Sequence, residues 1–93
     1  LGQCSSLAVL NLGCNDIGLE GAGRLAEALG QCSSLAVLNL ESNRIGDEAT
    51  GRLAGVLGQC PSLAELHLLK GNAIGEDAEA MLQSSIRETT RLL

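Results

Sequence analysis

One twelve-residue phrase recurs three times along this chain at a fixed interval. Leu1 to Leu12 read LGQCSSLAVLNL, Leu29 to Leu40 repeat that without a change, and Leu57 to Leu68 read LGQCPSLAELHL, with three changes. The interval is 28 residues, and a period in that range marks an array of stacked supersecondary units. At 93 residues a single globular core would be marginal, but each unit of a stack only has to bury its face against its neighbours. The chain divides into units 1–28, 29–56 and 57–93 of one array.

The first two units match at 20 of 28 positions, and each has two halves of different period. Leu10 and Leu12 alternate with Val9 and Asn11, the pattern of a strand with one buried face. Ala22, Leu25, Ala26 and Leu29 then fall at i, i+3, i+4 and i+7, one face of a helix. Gly30 and Gly58 stand where C-caps are expected. Strands joined by helical crossovers must run parallel. We therefore expect an α/β solenoid of about three strand–helix repeats, right-handed, with a one-layer parallel sheet on the concave side and helices outside.

The strand half, LAVLNLGCNDI, fits the pattern LxxLxLxxNxL with Leu7, Leu10, Leu12, Asn15 and Ile17 on the motif. Leu35, Leu38, Leu40, Asn43 and Ile45 repeat it. This resembles the leucine-rich repeat, and the continuation NDIGLEGAGRLAEAL resembles its ribonuclease-inhibitor type, found also in NOD-like receptors. The resemblance implies protein–protein recognition on the concave sheet face. It also implies that Asn15, Asn43 and Asn72 point inward and bond the backbone of neighbouring repeats.

The third unit departs from the pattern. One residue is inserted within Leu69-Lys70-Gly71, so Asn72, Ile74 and Gly75 follow a shifted register. A bulged turn at Lys70–Gly71 is expected. In the shifted register Glu79 and Gln83 replace Ala22 and Ala26, while Leu82 and Ile86 keep the apolar positions of Leu25 and Leu29. Polar residues in place of small ones suit a terminal cap. The helix is expected to run on through SSIRETTRLL, and this end reads as a real one. At the other end Leu7, Leu10 and Leu12 are as apolar as their internal counterparts, so the first unit should expose its stacking face. That start reads as a cut within a longer array, as a designed start, or as a surface where two chains pair.

Composition removes several function classes. The net charge is −5, and the six basic residues are scattered, leaving no stripe for phosphate; neither nucleic acid nor an anionic membrane is an expected partner. There is no aromatic residue to stack a base or anchor an interface. No apolar run approaches a membrane span, and no signal-peptide pattern is visible. Cys4, Cys32 and Cys60 recur one period apart, a linear ladder rather than a tetrahedron, so buried thiols are expected and not a metal. Cys14 has Ser42 as its counterpart and should lie near the surface. Free thiols point to a reducing, cytoplasmic setting. His67, the one histidine, stands at an outward strand position, with Asn39 and Asn11 as cross-strand neighbours and no nucleophile. GLEGAG lacks the spacing and the Lys-Ser/Thr of a phosphate loop. No cofactor, metal or catalytic residue is assigned.

The outward strand positions remain: Val9, Asn11 and Gly13; Val37, Asn39 and Glu41; Glu65, His67 and Leu69. Eight of them (all but Gly13) form the candidate concave binding face. The expected function is a non-enzymatic protein-binding or scaffold module, with an unidentified protein as partner. The alternative is a self-assembling unit that pairs as a homo-oligomer through its uncapped N-terminal face.

Overall fold

The computed structural model describes residues 8–31 and 33–93. Four short strands alternate with three helices: β1 (Val9–Asn11), α1 (Gly18–Leu29), β2 (Val37–Asn39), α2 (Asp47–Leu57), β3 (Glu65–His67), α3 (Glu76–Ser85) and β4 (Arg91–Leu92). The strands form one parallel sheet in chain order. Each strand sits beside its counterpart in the next unit: Val9, Leu10 and Asn11 lie opposite Val37, Leu38 and Asn39, which lie opposite Glu65, Leu66 and His67.

The period-two pattern decides which way each strand faces. Leu38, Leu40, Leu66 and Leu68 are fully buried and join Leu53, Leu57 and Leu82 of the helices in one apolar cluster. Burying each such leucine stabilises the fold by about 1.5–3 kcal/mol relative to leaving it exposed. Burial is uneven along the stack. Ile45 and Leu40 are sealed between two neighbours, whereas their counterparts Ile17 and Leu12 are only partly covered. Leu7 lies outside the described residues.

Two buried asparagines join the units. Asn43 Oδ1 accepts the N–H of Asn15 (2.7 Å), and its Nδ2 donates to Leu12 O (2.7 Å). Asn72 repeats this one unit on: Oδ1 accepts from Asn43 N (2.7 Å) and Ile45 N (3.1 Å), while Nδ2 donates to Leu40 O (2.8 Å) and Leu68 O (2.7 Å). Buried backbone groups left unpaired would be costly, so these side chains close each turn against the preceding one. Asn15 starts the ladder exposed, donating only to Leu12 O and Gly13 O of its own unit.

Three expectations need correction. First, the third helix does not continue through SSIRETTRLL. It stops at Ser85, Ile86 turns extended, and Arg91–Leu92 becomes a fourth parallel strand. Arg91 N donates to Ala64 O (2.7 Å) and Leu93 N to Leu66 O (2.8 Å), so the outer edge of β3 is covered. Thr90 is buried there, its hydroxyl donating to Leu63 O at 2.7 Å. An open strand edge thus outweighs the helical periodicity of a short tail.

Second, the inserted residue is Leu69, and the turn at Lys70–Gly71 is the ordinary one. Lys70 O accepts Ser42 N (3.0 Å) as Glu41 O accepts Cys14 N (2.9 Å). Gly71, with φ +74°, takes the left-handed place of Cys14 and Ser42. The extra residue is absorbed just before, where the N–H groups of Leu68 and Leu69 both donate to Leu93 O. Gly71 is also required sterically, because a Cβ there would press on the Ser42 side chain and Cα.

Third, the Asn15 side chain is not buried and bonds no neighbouring repeat; it is exposed and donates within its own unit. Gly30 and Gly58 cap their helices as expected, both with right-handed backbone. Gly58 is also demanded by close approach, since a Cβ would collide with the carbonyl of Ser85 at the end of α3.

Candidate functional site

The open face of the sheet carries side chains in rows set by the strand register. One row runs Val9, Val37, Glu65, Arg91, and the next runs Asn11, Asn39, His67. Neighbours within a row are about 5 Å apart. Val9 is 60% exposed, and exposure falls inward along the row to the half-buried Val37 and Glu65. The row is therefore apolar at the β1 end and charged at the β4 end.

The asparagine row presents one polarity outward. Asn11 Oδ1 accepts Gly13 N (3.0 Å) and Asn39 Oδ1 accepts Glu41 N (2.9 Å). Each carbonyl oxygen is thus spent on its own turn, and the Nδ2 groups remain as outward donors. Gly13 belongs to this arrangement: a Cβ there would crowd Asn11 Oδ1.

His67 lies between two carboxylates. Its Nε2 is 3.2 Å from Glu65 Oε1 and its Nδ1 is 3.9 Å from Glu41 Oε2. Sequence spacing placed Glu65 beside it, two residues away on the same face. The approach of Glu41 was not legible, because it comes from the turn after β2 and depends on the strand register. This acidic–imidazole cluster can accept hydrogen bonds from a bound cationic or amide group, beside the donor row of Asn11 and Asn39.

Leu69 does not join the row expected for it. As the inserted residue it stands out of register, and Lys70 takes the place opposite Glu41. Cys14 is exposed and Cys60 is buried, its thiol donating to Val56 O at 3.4 Å. Cys4 and Cys32 lie outside the described residues. Among the described residues no group of three or more His, Cys, Asp or Glu side chains could hold a metal ion, and no helix is long and apolar enough to cross a membrane.

A second surface feature is a largely apolar depression of about 450 Å³ at the front of the stack, lined by Leu12, Ile17, Gly21, Leu25 and Ala28 together with Asn15 and Arg24. Sequence reading anticipated an exposed face here but not its helical half.

Strand–helix units repeated beside one another in a single parallel sheet define a repeat protein. The Leucine Rich repeat family profile matches residues 3–26 and 31–49, just under half of the chain, and with this sheet the matches support a leucine-rich repeat protein. Comparison with curated proteins and with solved structures yields no match.

Proposed function

We propose that the protein is a non-enzymatic binding module that captures a protein partner on the concave sheet face of a right-handed solenoid of the ribonuclease-inhibitor type. Leucine-rich repeats commonly mediate protein–protein interaction. The observation carrying the reading is the row of outward amide donors on Asn11 and Asn39 ending at His67, Glu65 and Glu41. It offers donors and acceptors side by side on a surface rigidified from behind by buried leucines. The partner suited to it is a protein segment with backbone carbonyls along the asparagine row and a Lys, Arg or amide donor at the carboxylates. The exposed thiol of Cys14 favours a reducing, cytoplasmic setting, and the scattered basic residues favour a partner other than nucleic acid or an anionic membrane.

The test begins with a binder selected from a peptide library against the folded chain. Its affinity should fall at least tenfold, about 1.4 kcal/mol, for Asn39→Ala with His67→Ala, and hold for Arg52→Ala on the helix layer. Selected binders that lose affinity only through helix substitutions would rule the concave face out.

A second reading is favoured by the apolar depression and by Val9, 60% exposed at the sheet edge. The N-terminal face serves assembly, joining this chain to another.

A further inference from the structure

We propose that the N-terminal face pairs with the same face of a second copy, about a two-fold axis that lays the two β1 strands antiparallel. This rests on the assembly reading above and is independent of concave-face binding.

The strand edge supplies the first argument. Toward β2, Leu12 N donates to Asn39 O (2.8 Å), and Ala8 O accepts from Ala36 N (2.7 Å) and Val37 N (3.0 Å). A parallel ladder uses alternate residues on each side. The N–H and C=O of Val9 and Asn11 therefore point to the opposite edge, where no described residue meets them. Such an edge is a template for another strand. It is self-complementary about Leu10: a two-fold axis there sets Val9 against Asn11 of the second copy and Asn11 against Val9. Both are hydrogen-bonded antiparallel pairs.

The helix layer supplies the second argument. The same axis runs α1 antiparallel to its copy across the depression lined by Leu12, Ile17, Gly21, Leu25 and Ala28. Glu20 and Arg24, 3.4 Å apart and exposed, lie one turn apart on α1. Antiparallel helices can place each Arg24 against Glu20 of the other copy, so the contact is charge-complementary to itself. An isologous interface requires this of one patch.

The far end of the stack is a poorer occupant. Its helix α3 shows exposed Glu76, Glu79 and Gln83. On β4, Arg91 and Leu93 are already bonded to β3, leaving the backbone of Leu92 alone toward the free edge. Head-to-head pairing instead joins the two four-stranded sheets into one.

Sedimentation equilibrium of the unmodified chain should show a dimer. Val9→Pro removes an edge N–H that β2 does not use, so it should weaken dimerisation at least tenfold while preserving the far-ultraviolet circular dichroism. Independently, Val9→Cys chains mixed with Asn11→Cys chains should form a reducible cross-link between positions 9 and 11, mapped by mass spectrometry. Val9→Cys alone should not, because like positions lie beyond disulfide reach. A monomer at every concentration would overturn both this inference and the assembly reading. A dimer that cross-links 9 to 9, or never cross-links 9 to 11, would overturn the two-fold pairing alone. Such a dimer leaves assembly standing, with parallel stacking of a leucine-rich unit as its form.

Discussion

Replacing Asn72 by Ala tests the proposition that inward asparagines, rather than leucines alone, hold adjacent units together. Asn72 is fully buried and satisfies two backbone N–H groups, those of Asn43 and Ile45, and two carbonyls, those of Leu40 and Leu68. Alanine leaves the two donors without a partner in a space closed to water. Each buried unsatisfied group costs about 1–3 kcal/mol, so the substitution should cost about 3–5 kcal/mol. A chain of this length has roughly 5–14 kcal/mol in total, so the loss is a large fraction of its stability. Asn15 is the internal control: its side chain is exposed and bonds only its own turn, so Asn15→Ala should cost less than about 1 kcal/mol. The chain has no Trp or Tyr to report by fluorescence, so urea unfolding is followed by circular dichroism at about 222 nm. With a slope near 2 kcal/mol/M, the Asn72→Ala midpoint should fall by about 2 M. Equal midpoints for Asn72→Ala and Asn15→Ala would refute the reasoning.

Three further outcomes follow from the turns, the tail and the thiols. Gly71→Ala should destabilise by about 1–3 kcal/mol in the same assay, from its positive φ and the crowding of Ser42; Ser42→Gly in the same chain should restore part of the loss. Removing Arg91 to Leu93 should cost about 2 kcal/mol and speed amide exchange at Leu68 and Leu69, whose N–H groups donate to Leu93 O. With Cys4 and Cys32 replaced by Ser, a thiol reagent should modify Cys14 rapidly and Cys60 only on unfolding, giving one fast and one slow phase.

The legible part of this fold was whatever repeats. A period of two at Leu10 and Leu12 and a helical period at Ala22, Leu25, Ala26 and Leu29 each mark a face that must be buried, and three copies in register leave one way to stack them. The asparagine ladder was legible for the same reason at Asn43 and Asn72, whereas Asn15, expected to bond a neighbouring repeat, is exposed and bonds its own unit. The candidate face was legible as a set of residues, since the strand pleat alone turns Val9, Asn11, Val37, Asn39, Glu65 and His67 away from the core. Features that occur once were read less well. Leu69 is indistinguishable by sequence from Lys70 or Gly71 as the inserted residue, because only the partner carbonyls reveal the register.

The sequence by itself determined the unit, its period and its buried face, because hydrophobic burial depends on local spacing that every copy restates. The tertiary structure alone decided how RETTRLL ends the chain, where His67 finds its second carboxylate, and why Gly58 is glycine. Each of those depends on a group far away in sequence: the open edge of β3, Glu41 in the turn after β2, and the Ser85 carbonyl at the end of α3. Backbone edges and side-chain tips find partners only once the units are stacked, and no local pattern records them.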